Sequence, residues 1–228
     1  MRVDHVIIGA GDIGPLRELL RDRYGFGVIQ GSAHDDGTQG WLVPFDSPQV
    51  QYLELLTPGD LGKLSGSAFG RLFLERTAGG PAFLNWALLC DDIDKDADRV
   101  RSLTGADPGL VRGESVRADG QRFPWAEAAF DASWRCPSRP FFLEYGNWPA
   151  RVGRIGGDLR RAAHRRTPLE FAAVTVRTAQ PDLASWWGHS ELPVVMEAPG
   201  AVEAGPGAEG IRAVRIRTAD GDVEVVLP

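Results

Sequence analysis

The chain opens on an alternating stretch, Arg2-Val3-Asp4-His5-Val6-Ile7-Ile8. Read as a strand, it sends Val3, His5 and Ile7 to one face and Asp4, Val6 and Ile8 to the other. Asp12 is placed to cap a helix over Ile13–Tyr24, where Leu16, Leu19, Leu20 and Tyr24 keep helical spacing up to Gly25. Phe26–Gln30, Gly40–Phe45 and Val50–Leu56 read as three strands, the last two joined around Asp46-Ser47-Pro48. A mostly helical connection over 59–79 follows, with Leu61, Leu64, Phe69, Leu72 and Phe73 as its apolar positions. The order β-α-β-β-β then returns. Phe83–Cys90 is a strand, Asp92 caps a helix over Ile93–Leu103, and Gly109–Arg117 pairs with Gln121–Phe130 around Ala118-Asp119-Gly120. Arg139–Tyr145 closes the round. A shorter third round has a strand at Phe171–Arg177, a helix at Pro181–Gly188 and a Pro/Gly/Glu-rich loop. It ends in a hairpin, Ile211–Thr218 with Val223–Leu227, around Asp220-Gly221. One strand of this round is missing, or very short near Pro193–Glu197.

The first two rounds overlay as a repeat, which outweighs any local propensity. His5 and Asn85 are 80 residues apart, as are Asp12 and Asp92. Tyr52-Leu53-Glu54-Leu55 matches Phe142-Leu143-Glu144-Tyr145 at an offset of 90, so the second module carries ten extra residues. The expected organisation is a first module over 1–80, a second over 81–150, and a linker helix with a partial third module over 151–228.

The net charge of −6 argues against a general nucleic-acid binder. No apolar run is long enough for a membrane span, and no leader-like segment opens the chain, so the expected compartment is a reducing cytoplasm. Cys90 and Cys136 are too few for a disulfide framework or a zinc site and read as reduced thiols in or near the core. The glycines of Gly9-Ala10-Gly11-Asp12-Ile13-Gly14 make a turn rather than a dinucleotide fingerprint, because no parallel βαβ unit continues from them. Arg151, Arg154, Arg160, Arg161, Arg165 and Arg166 form the one basic stretch, either a solvated helix and linker or an anion-binding rim. His164 and His189 fall outside the repeat and read as surface residues.

The order and spacing of Val3–Ile8, Gly31-Ser32-Ala33-His34 with Gly37-Thr38, Gln51–Leu56, Asn85–Asp94 and Pro140–Tyr145 resemble the vicinal oxygen chelate superfamily, and within it the glyoxalase-like domain branch. The resemblance implies an α+β fold in which paired βαβββ modules form curved mixed sheets around a cavity. It implies metal ligands on the first and fourth strands of each module: His5, Glu54, Asn85 and Glu144 here. Asn85 departs from the His found there in many members. The implied cofactor is a divalent ion (Ni, Zn, Mn, Mg or Fe). Such an ion polarises a bound carbonyl while a carboxylate, Glu54 or Glu144, removes the neighbouring proton. Each Glu, taken alone, reads equally as an exposed residue of a half-solvated strand.

His34 and Thr38 are expected at the substrate, or bonded only within their own loop. Trp41, Trp86, Trp125, Trp134 and Trp148 read as core or as a wall for a flat ligand, with Trp86 the choice for substrate contact. Three functions follow: a metal-dependent lyase or isomerase acting on a small carbonyl or hydroxy compound, a metal-free small-molecule binder, or a scaffold that keeps only the fold. The expected partner is a small molecule, not nucleic acid or membrane, and the chain is expected as a monomer or homodimer.

Overall fold

The opening strand β1 (Arg2–Gly9) is buried along nearly its whole length, as a strand between two neighbours must be. A computed structural model describes residues 1–116, 122–199 and 209–228. After β1 come α1 (Ile13–Leu19), a π-helical turn at Leu20–Tyr24, β2 (Ile29–Ala33), β3 (Thr38–Pro44) and β4 (Tyr52–Pro58). Helices α2 (Leu61–Gly66) and α3 (Ala68–Thr77) lead to β5 (Ala82–Leu89), α4 (Ile93–Thr104), β6 (Val111–Val116), β7 (Arg122–Ala128), α5 (Phe130–Arg135) and β8 (Phe141–Tyr145). Beyond these lie α6 (Trp148–Gly153), α7 (Ile155–Ala162), β9 (Pro168–Arg177), a 3₁₀ turn at Leu183–Trp187, β10 (Val194–Glu197), β11 (Gly210–Thr218) and β12 (Gly221–Val225).

The α+β architecture is the expected one: an eight-stranded curled sheet in the order β2-β3-β4-β1-β5-β8-β7-β6, and a four-stranded sheet β10-β9-β11-β12. β1 pairs in parallel with β4 and antiparallel with β5, so the modules join edge to edge at β1 and β5. The outer face of the large sheet carries Val6, Ile8, Leu53, Leu55, Trp86, Leu88 and Phe142, which share one core with α1, α4 and the small sheet. Trp86 meets Trp187 edge to face at 5.9 Å. Ile7, Leu56, Ala87, Phe141 and Leu143 lie on the inner face with Phe73 and Trp134.

Three local differences from the sequence reading matter. The 59–79 connection breaks at Ser67, whose hydroxyl accepts from Gly70 N at 2.9 Å and starts a second helix. The strand expected to run to Phe130 ends at Ala128, and Ala129 at φ 64° turns the chain into α5. The basic linker exposes Arg160, Arg161 and Arg165 to solvent, as one reading expected, but it is pinned to the sheet at one point. His164, expected at the surface, accepts from Gly27 N at 2.9 Å through Nδ1 and donates to Pro44 O at 3.0 Å through Nε2. Burial holds its pKa below the usual histidine value. A side chain at Gly27 would place its Cβ 1.8 Å from Ala162 O, so only glycine lets α7 dock there. The expected turn at Ala118-Asp119-Gly120 lies outside the described residues, as does most of the Pro/Gly/Glu-rich loop. Among the described residues, no helix is long and apolar enough to cross a membrane.

Candidate functional site

The site begins with one extra residue in β1. Val3 pairs with Leu88 and His5 with Ala87, so Asp4 is inserted between successive rungs of the ladder. Val3 joins the outer core, whereas His5 and Asp4 both turn inward and meet. This breaks the simple alternation expected for Val3 and Asp4. Asp4 is fully buried, which makes its charge costly unless partnered. Arg151, from α6, supplies the partner: its Nη2 lies 3.0 and 3.2 Å from the two Asp4 oxygens. Burial pushes the Asp4 carboxyl up, but Arg151 and the His5 hydrogen bond together outweigh it, so the group sits below its ordinary range. The Arg151 guanidinium also lies over the Tyr145 ring, 3.5 Å from its centre.

Asp4, held ionised, accepts from His5 Nδ1 at 2.9 Å. That fixes the tautomer and leaves Nε2 facing Glu54, 3.3 Å from Oε2. The imidazole is clamped between Tyr52, stacked at 4.7 Å, and Phe141, edge-on at 5.6 Å. Glu54 reaches the same face from β4, beside Ile7.

His34, in the loop between β2 and β3, approaches Glu54 from the rim, Nε2 to Oε1 3.9 Å. Its orientation is also fixed. Thr38 donates its hydroxyl to Asp36 at 2.7 Å, so its oxygen accepts from His34 Nδ1 at 2.9 Å. Thr38 is buried and therefore positions His34; it does not line the cleft. The His34 ring lies over Gly40, where an added Cβ would be 3.1 Å from Nε2. Together these groups open into a cleft of about 730 Å³ walled by Tyr52, Trp125 and Tyr145 and bordered by Arg154 and Arg161. Glu127, two residues beyond Trp125 on β7, interacts electrostatically with His5 and Glu54, and burial pushes its pKa up to about 7.

The expected ligands from the second module stand elsewhere. Glu144 shares the outer face with Phe142, and its Oε2 accepts from Ile93 N at 2.9 Å, at the start of α4. The register explains it. Tyr52 lies 47 residues beyond its partner His5, and Phe141 lies 54 beyond its partner Ala87. The second module is thus longer by seven residues between these strands, not ten, and Phe141 takes the place of Glu54. A slip of three residues is odd, so it moves the acid to the other side of the sheet.

Asn85 is fully buried, and its Oδ1 accepts from Trp86 N at 2.8 Å and from the Ser133 hydroxyl of α5. Trp86 is core on the outer face and does not reach the cleft. Of the five tryptophans weighed as a cavity wall, Trp125 lines this cleft. A four-ligand ion centre made of His5, Glu54, Asn85 and Glu144 therefore does not fit these side-chain positions. Among the described residues no group of three His, Cys, Asp or Glu side chains is arranged to hold a metal ion.

A model of the glyoxalase-like domain matches residues 3–192. The chain belongs to the glyoxalase-like domain family. No curated protein matches its sequence. A hypothetical protein from Staphylococcus aureus shares the fold of this glyoxalase-like chain with a TM-score of 0.61 at 16% identity, covering 96% of this chain and 92% of that one. The methylmalonyl-CoA epimerase of Mycobacterium tuberculosis aligns with a TM-score of 0.38 at 21% identity, over 63% of this chain and 86% of that one. A Streptomyces coelicolor methylmalonyl-CoA epimerase variant with 2-nitronate-propionyl-CoA gives 0.42 at 20% identity, over 64% and 96%.

Asp4 and Glu127 were not among the candidate site residues read from sequence, and Arg151 was named only within the basic stretch. Each carried a signal all the same. An acid inside the apolar stretch Val3–Ile8 needs a buried partner, the basic stretch held one, and Glu127 stands between alanines on a strand.

Proposed function

We propose that this chain binds a small carbonyl- or hydroxy-bearing compound in the cleft and moves a proton on it, as a lyase or isomerase would. The observation that carries the reading is the chain Arg151–Asp4–His5–Glu54, in which each contact fixes the next. Asp4 holds the His5 Nδ1 proton, so Nε2 is the atom free to exchange a proton. Glu54 beside it accepts or returns that proton, and the stack with Tyr52 keeps the ring from swinging away. Glu127, with a pKa of about 7, is a second group able to hold a proton near neutral pH. A divalent ion would find His5 and Glu54 as protein donors, with His34 Nε2 at the rim 3.9 Å from Glu54; Asn85 and Glu144 are committed to α5 and α4.

A second reading, sequestration without turnover, is favoured by the same commitment of Asn85 and Glu144 and by the aromatic wall of the cleft. Solvent deuterium exchange into a panel of small hydroxy and carbonyl compounds, followed by NMR, separates the two. Exchange that falls by at least about a hundredfold in His5→Ala and Glu54→Gln supports proton transfer. Binding of a panel compound without exchange supports sequestration. Exchange unchanged by either substitution rejects the assignment of these residues.

A further inference from the structure

The cleft has a charge that the proton-transfer groups do not use. Three arginines line it: Arg151, Arg154 and Arg161. Asp4 neutralises Arg151. Arg154 and Arg161 share a single acid, Asp158, at 3.8 and 2.6 Å. Two cations against one anion leave one positive charge at the mouth, with the Glu54 carboxylate set apart beside His5 and His34. Arg154 is the less satisfied of the pair. Its Nε is shut off from solvent without a hydrogen-bond partner among the described residues, and the Asp158 oxygen lies beyond hydrogen-bond reach.

The segment carrying these arginines is held in place rather than loose. α7 abuts Gly27, and the backbone N–H groups of Arg165 and Arg166 both bond Gly25 O. The charge is thus presented to the cleft from an anchored rim. Arginine's planar fork suits a carboxylate in a bidentate grip. The wall below is aromatic, with Trp125, Tyr52 and Tyr145.

We propose that Arg154 and Arg161 recognise the carboxylate of a monoanionic substrate with a flat apolar body. The body lies against Trp125, and the hydroxyl or carbonyl end reaches His5 and Glu54. This rests on the cleft being the substrate site, and it adds the substrate's charge and shape. A single uncompensated cation matches a monocarboxylate better than a phosphate monoester, which carries nearly two negative charges at neutral pH.

Calorimetric titration of the full chain with 3-phenyllactate, its methyl ester and phenyl phosphate tests the assignment. The acid should bind about tenfold more tightly than the ester. Arg154→Gln and Arg161→Gln should each lower affinity for the acid about tenfold and leave the ester unchanged. Arg154→Lys should recover part of the loss, and Arg160→Gln, next to Arg161 on α7 but outside the cleft, should change nothing. Equal binding of acid and ester, or acid binding indifferent to Arg154→Gln, overturns the proposal. Absence of binding by all three probes overturns it as well, and a preference for phenyl phosphate over the acid overturns the choice of carboxylate. Binding needs no turnover, and exchange can be followed on the ester, which does not need the rim. Acid binding that depends on Arg154 without any exchange therefore keeps the rim and rejects the chemistry, and the converse rejects the rim alone.

Discussion

The two βαβββ modules follow one strand order but differ in what occupies the inner face of their half of the sheet. Over β1 and β4 that face opens to the cleft, and His5, Glu54 and Tyr52 reach it. Over β5 and β8 it is closed by α5, whose Phe130 and Trp134 stack at 5.5 Å and pack against Phe69 and Phe141. A six-residue helix, absent from the first module, changes the use of every polar residue near it. Asn85 ties α5 down, and Glu144 caps α4 from behind the sheet. The contrast teaches that a duplicated strand pattern preserves the scaffold, while the segments between strands decide which copy keeps a reactive surface.

The strongest way to break this contrast is to remove a buried charge from the open half. Asp4→Asn leaves Arg151 enclosed without its carboxylate and should destabilise the chain by about 3–5 kcal/mol, read from urea denaturation. A change within about 0.5 kcal/mol would mean that the pair contributes nothing to the fold.

The next effect is a pH dependence. Burial raises Glu127 in the folded chain to about 7 from an ordinary 4.5, so the folded state favours its protonated form. Its contribution is complete below about 4.5 and is lost as pH rises through 7. Glu127→Gln should therefore have the same melting temperature as the parent near pH 4 and a higher one at pH 8, with the gap opening between these limits. A gap that opens toward acid would contradict the assignment.

The smallest effect sharpens the contrast between acids. Glu144→Gln weakens the charge at the start of α4 and should cost about 0.3–1 kcal/mol of stability with deuterium exchange unchanged. Loss of exchange in that variant would place Glu144 in the chemistry and erase the distinction between the modules.

Much of the scaffold was legible because alternation and helical spacing mark strands and helices without reference to partners. Even the short strand near Pro193–Glu197 was visible, and it forms as β10. His5 and Glu54 were legible as a pair because the repeat and the family resemblance place them on the first and fourth strands of one module. The position of Glu144 was not, because a shared Leu-Glu pair fixes residue type but not register, and an odd slip reverses the face. α5 was hidden for a related reason: Phe130 and Trp134 read as strand or core aromatics until the turn at Ala129 is known. Asp4 and Arg151 are 147 positions apart in the chain, and nothing local announces that they meet.

Asp4 occupies no rung of the ladder. It could be deleted without changing which neighbours Val3 and His5 face, because both would continue the regular alternation. The histidine would stay where it is, deprived of the acid that orients it and of the link to Arg151. The relay is thus an addition to the strand, separable from it by one codon. In any relative, the telling feature is whether an acidic residue is squeezed in just ahead of the histidine, since a gap there marks a strand built before, or after, the reactive group was wired.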